Sequence, residues 1–264
     1  MDGAWADPIR RTHTLDDLTP HLARHGIDGT LLVQSSASAA ETAELLALAA
    51  RAPAVRGVVG WADLTDPGLP DLLAAMPPHL AGLRHQVQDE PDPDWLARPA
   101  VRRGLAAVAD AGLVYDLLIT RHQLPAATAV AHALPGLRLV LDHAAKPAIA
   151  AGAWQPWADG LAALARLPNT ACKLSGLVTE APWSTWRPVD ISPYARHVLD
   201  TFGPHRVLFG SDWPVCTLAA PYDDVVTLAG TATAHLTPDE RAAVFGGTRR
   251  GCTGCDRAAV GPVW

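Results

Sequence analysis

Seven short apolar runs alternate with helical stretches from one end of the chain to the other, and this alternation constrains the fold most strongly. The runs lie at 30–34, 55–63, 82–87, 113–119, 137–141, 170–174 and 206–209. Thr14 is placed to cap a helix that stops at Gly26, and Ser38 with Glu41 forms a capping box for a second helix up to Pro53. Further helices are expected at 69–76, 99–112, 123–133, 153–166, 193–202, 222–234 and 238–245. Strand, helix, strand in repetition implies parallel βαβ units. The expected fold is α/β, a TIM (β/α)8-type barrel, and the 264 residues suit a single such domain. A barrel requires eight strands. The first visible element is a helix, so the reading puts a missing first strand ahead of residue 1.

Nearly half of the residues are apolar, enough for a sizeable core. The net charge of −6 without a long basic run argues against a nucleic-acid surface. No stretch approaches the ~20 apolar residues of a membrane span, and the first residues carry no signal-peptide pattern. Four scattered cysteines make no disulfide framework, and a cytoplasmic location is expected, with a homo-oligomer left open. No Gly-x-Gly-x-x-Gly occurs, which excludes the usual nucleotide cofactor site.

Polar residues gather where the strands end. These are Arg84, His85 and Gln86; Tyr115 and Asp116; Asp142, His143 and Lys146; Lys173 and Ser175; and Ser211, Asp212 and Trp213. In a parallel sheet all these ends share one face, which would suit an anionic or oxygen-rich molecule. Each has a plainer reading. Asp212 could cap a turn, His143 could be a hydrogen-bonded core histidine, Arg84 could form a surface ion pair, and Tyr115 and Trp61 could be core. His21 and His25 have the spacing of a metal pair but no accompanying Glu, and a solvated helix face is expected. Glu90, Asp92 and Asp94 are expected in a solvated loop. Cys252 and Cys255 lack a second pair to complete a zinc site, and Ser175 sits in no Gly-x-Ser-x-Gly elbow.

Five segments together resemble a known family: Gly60-Trp61-Ala62-Asp63-Leu64, Gly82-Leu83-Arg84-His85, Leu141-Asp142-His143-x-x-Lys146-Pro147, Cys172-Lys173-Leu174-Ser175-Gly176-Leu177 and Phe209-Gly210-Ser211-Asp212-Trp213-Pro214. The chain resembles the amidohydrolase-2 group of the amidohydrolase superfamily, in its sugar-lactone hydrolase branch (the fuconolactonase and rhamnonolactonase type), over about residues 9–248. The resemblance implies a barrel that hydrolyses a small-molecule sugar lactone at the strand carboxyl ends. It makes Asp212 the general base and His143 the group that polarises the carbonyl or joins a metal. Arg84 and His85 become substrate contacts, Tyr115 a further contact, and Lys146 and Trp213 pocket wall. Loops 88–94 and 176–190 are expected to set specificity.

The chain departs from the family at both ends. Its usual first strand bears Asp-x-His-x-His, and no His-x-His occurs here. A divalent zinc or manganese ion would have His143 and Asp212 as its remaining ligands, a poor cage; some lactonases of this branch work without metal. The tail 249–264 also differs from the family's ending. Dicarboxylate-lactone hydrolysis, decarboxylation, or an inactive truncated barrel are the competing readings.

Overall fold

The computed structural model describes residues 4–247; Cys252, Cys255 and the unusual tail lie outside the described residues. Seven strands form one sheet in sequence order: β1 (Thr30–Val33), β2 (Val55–Gly60), β3 (Leu80–His85), β4 (Val114–Leu117), β5 (Arg138–Leu141), β6 (Thr170–Leu174) and β7 (Val207–Phe209). Every neighbouring pair is parallel. Nine α-helices are found among the described residues: α1 (Leu15–Arg24), α2 (Ala39–Ala49), α3 (Leu69–Ala74), α4 (Pro99–Asp110), α5 (Leu124–Ala133), α6 (Trp157–Ala165), α7 (Pro188–Phe202), α8 (Tyr222–Ala232) and α9 (Pro238–Ala242). None of the described helices is long and apolar enough to cross a membrane.

Side chains alternate across a strand, and the two faces differ. Leu83, Tyr115, Leu117, Leu139, Leu141, Cys172, Leu174 and Val207 join the large core shared with the helices. Val114, Val140, Ala171 and Leu208 form a small separate cluster on the other face. Two residues further along these strands, at the same parity, come Asp116, Asp142 and Lys173, and Arg84 is in register with Asp116. The inner face thus runs from an apolar layer to a charged one at the strand carboxyl ends.

β1 and β7 are the outer strands of the sheet and do not pair with each other. The helices meet where the strands do not. Leu18 and Leu22 of α1 pack on Tyr222 of α8, and Asp223 takes a bond from Arg24 and lies 2.8 Å from His25 Nε2. His21 stacks on Tyr222 at 4.8 Å, and the His25 ring lies tilted against it at 5.8 Å. The solvated face expected for this histidine pair is therefore corrected. The apolar positions 18 and 22 carry the histidines one step round the helix into the α1–α8 seam.

Two element boundaries also differ from expectation. The 55–63 strand ends at Gly60, and α7 begins at Pro188 rather than at Pro193. Pro193 is tolerated because the carbonyl it leaves unbonded belongs to Val189, which is 63% exposed and open to water.

Close packing of α4 depends on a missing side chain. A Cβ at Gly104 would lie 2.1 Å from the Leu64 carbonyl oxygen, a backbone atom that cannot rotate away. Gly104→Ala is expected to destabilise the protein by about 3 kcal/mol, the upper range for overpacking. Gly136→Ala, which meets nothing within 4 Å, should stay within about 0.5 kcal/mol of the parent. Chemical denaturation midpoints of the two variants check this.

Candidate active site

The charged layer is a buried quartet. Lys173 Nζ from β6 donates to Asp116 Oδ2 of β4 and lies 2.6 Å from Asp142 Oδ1, just beyond β5. Arg84 of β3 donates from Nη1 to Asp142 Oδ2 at 2.8 Å and from Nη2 to the Gln34 carbonyl. The Gln34 side chain returns a bond to the Arg84 carbonyl at 2.9 Å and accepts one from Gln86 Nε2. Two cations and two carboxylates balance, as buried charges must.

Their titration follows from this pairing. Burial pushes the Asp142 carboxyl up, but Lys173, Arg84 and His143 together hold it well below the usual range. Asp116 is raised, because burial outweighs its Lys173 partner and Asp142 adds a like charge. Burial pulls Lys173 down, and the two carboxylates more than offset it, so the ammonium persists.

Beyond β5 the backbone turns left-handed for four residues: His143 (φ 50°), Ala144 (49°), Ala145 (57°) and Lys146 (53°). Asp212, beyond β7, has φ 56°. For residues with a Cβ this region costs roughly 1–3 kcal/mol each, and such strain concentrates at functional sites. It sets His143 Nδ1 2.9 Å from Ser175 Oγ and Nε2 3.6 Å from Asp212 Oδ1. Gly176 (φ +65°) admits the ring, since a Cβ there would meet His143 Nδ1 at 2.5 Å. Burial lowers the His143 pKa, with Lys146 and Arg84 acting the same way against Asp212 and Asp142. The ring is neutral at pH 7.

Of the residues expected from sequence, the structure sets His143 beside Asp212, while Arg84 bonds Asp142 next to it and the charges of Arg84 and half-buried Lys146 act on His143. His85 stands in a separate cluster. Trp61 Nε1 donates to its Nδ1 at 3.0 Å, which leaves Nε2–H to donate to Glu90 at 2.7 Å, and its ring stacks on Trp95 at 4.4 Å. Glu90 is thus half-buried and bonded, not simply solvated. Trp213 is half-buried, packed against the α1–α8 cluster with its ring edge on His13 at 5.1 Å.

Tyr115 is a correction. It is 0% exposed in the layer between sheet and helices, one residue out of phase with the inner face, and a substrate cannot reach it there. Conversely, Asp116, Asp142 and Lys173 stand among the strand-end residues of the sequence without a role of their own in the family resemblance. Their shared parity with Val114, Val140 and Ala171 is the signal that places them inside.

The donor set does not fit a divalent metal. Among the described residues no three His, Cys, Asp or Glu side chains are grouped to hold one. His143 and Asp212 supply two donors, and the ammonium of Lys173 already stands between Asp116 and Asp142. The arrangement offers a carboxylate beside a neutral imidazole, backed by fixed charge, which is equipment for hydrolysing a polarised carbonyl.

A family model described as amidohydrolase matches residues 6–249. L-fucono-1,5-lactonase of Burkholderia ambifaria is 41% identical over 257 residues, covering 93% of this chain and 88% of that protein. The enzyme of the same name from Burkholderia multivorans is 41% identical over 266 residues, covering 95% and 88%. A crystal structure of a Burkholderia multivorans amidohydrolase with bound zinc superposes with a TM-score of 0.92 at 39% identity, covering 96% of this chain and 92% of that one. The chain belongs to the amidohydrolase family.

Proposed function

We propose that this chain is a hydrolase that opens a sugar lactone, with Asp212 as the base that activates water. The observation that carries the reading is Asp212 Oδ1 set 3.6 Å from the neutral His143 ring, at the strand face where the charged quartet lies. The lactonase names of relatives 41% identical over nearly the whole chain support the substrate class. Asp212 takes a proton from water as the oxygen adds to the lactone carbonyl. His143 holds Asp212 in place and presents its ring to the carbonyl. The developing oxyanion gains from the positive potential of Lys146 and Arg84. Collapse breaks the ring C–O bond, the leaving oxygen takes the proton held on Asp212, and a hydroxy acid results.

Arg84 acts mainly as a positioning residue, since both its terminal nitrogens are committed to Asp142 and Gln34. That commitment also weighs against a dicarboxylate lactone, which needs guanidinium groups for two carboxylates. His85, Lys146 and Trp213 are proposed as pocket wall. The unpaired edges of β1 and β7 support a (β/α)8-type barrel whose first strand is missing from between them. A single cytoplasmic catalytic domain completes the reading.

Asp212→Asn keeps a residue type that accepts positive φ, so the fold should survive. Turnover of an aldonolactone in a pH-indicator assay should fall by about 10²–10⁴-fold, and circular dichroism should be unchanged. Retained turnover would refute the base assignment.

The depressed His143 pKa has a definite sign. Folding favours the neutral ring, so stability from this group is complete above the ordinary value of about 6.5. It is lost as pH falls through the lower folded value. The rate should therefore hold constant on going down to about pH 6.5 and decline only below it. A pH–rate profile with its acid limb centred above neutrality would contradict this. Because the described donors do not form a metal cage, dialysis against a chelator is expected to leave the rate unchanged.

A further inference from the structure

Two carboxylates of the inner layer are ion-paired, Asp116 with Lys173 and Asp142 with Lys173 and Arg84, and Asp212 stands 3.6 Å from the His143 ring. Glu180 differs. It ends the 3-10 turn Val178–Glu180 that comes after β6 and Gly176. Its side chain is half-buried, yet it makes no hydrogen bond and no ion pair with the described residues. The charges that act on it are those of Lys146, Asp212 and Arg121.

The turn is held firmly. Thr179 Oγ1 donates to the Gly176 carbonyl at 2.8 Å, and Trp183 Nε1 donates to the Thr179 carbonyl at 2.9 Å. It packs on the turn Val215–Leu218, whose Cys216 N–H donates to the Asp212 carbonyl at 2.8 Å. Glu180 is therefore fixed relative to Asp212 by backbone and aromatic contacts. A carboxylate with about four lone-pair sites, partly withdrawn from water and given no protein donor, is free to accept hydrogen bonds from a ligand.

We propose that Glu180 is a specificity-determining residue, its carboxylate accepting hydrogen bonds from hydroxyl groups of a polyhydroxylated lactone held between Asp212 and Lys146. This rests on the lactonase reading above and extends it to the hydroxylated part of the substrate. Neutral hydroxyls suit an acceptor-only carboxylate. Burial raises the Glu180 carboxyl, Lys146 and Arg121 offset part of that rise, and Asp212 adds to it. An acceptor carried on a held turn discriminates strongly, because a substrate lacking the hydroxyl leaves it unpaired.

The test compares an aldono-1,5-lactone with δ-valerolactone, the six-membered ring without hydroxyls, on the parent, Glu180→Ala and Glu180→Gln. In Glu180→Ala the preference for the aldonolactone, as a ratio of kcat/KM values, is expected to fall by roughly tenfold to a hundredfold, mainly through KM. Glu180→Gln retains one acceptor oxygen and should fall between. Equal losses on both lactones, or a preference that is unchanged, would overturn the proposal. A parent protein that opens neither lactone would instead defeat the lactonase reading, and this inference with it. Thermal midpoints of the variants identify any loss of fold.

Discussion

The ammonium of Lys173 between two buried carboxylates is the contact on which the rest of the site depends. Asp142 is 0% and Asp116 2% exposed, so neither can lose its partner to water. Removing one member of such an arrangement leaves an uncompensated charge, at a cost of about 3–5 kcal/mol. The quartet ties together β3, β4, β6 and the end of β5 through side chains alone, beyond the backbone ladder. It also sets the path of the chain beyond β5. His143 comes directly after Asp142, so the pairing of Asp142 aims the left-handed turn.

That turn shows how the fold tolerates unfavourable backbone at the site. Residues 143–146 and Asp212 all have positive φ, and none is a glycine that would adopt it freely. Compensation comes from the surroundings. Trp157 Nε1 donates to the Ala144 carbonyl at 2.7 Å, and Ala144 and Ala145 are fully buried against the core. The glycine is used instead at Gly176, where the need is space for the His143 ring as well as a positive φ. The His143–Asp212 pair is thus positioned by strain on one side and by an absent Cβ on the other.

Much of this is legible in the chain itself. The strand–helix alternation locates all seven strands, because a buried parallel strand must be a short apolar run with breakers on each side. The residues at the strand ends are visible for the same reason. Which of them face inward cannot be read from their identity. Tyr115 and Asp116 are neighbours with equal claims as polar strand-end residues, and only the period-two parity separates core from site. The environments of Glu90 and of the His21–His25 pair escape a sequence reading because their partners, His85 and Asp223, are brought to them by tertiary packing. Pro193 gives a false helix boundary, since a missing N–H matters little where the carbonyl it would have met can bond to water.

The seam between α1 and α8 has a kinetic implication. Neighbouring strands are joined by a few tens of residues, so each pairing closes a modest loop. The contacts of Arg24 and His25 with Asp223 join residues 199 and 198 positions apart. Loop closure on that scale carries the largest entropic penalty in the fold, although it grows only as the logarithm of length. Sheet assembly can therefore proceed pair by pair along the chain, with the helical ring sealing last. The same seam is a natural first point of opening, where local release would part the two unpaired strands while leaving the charged quartet intact.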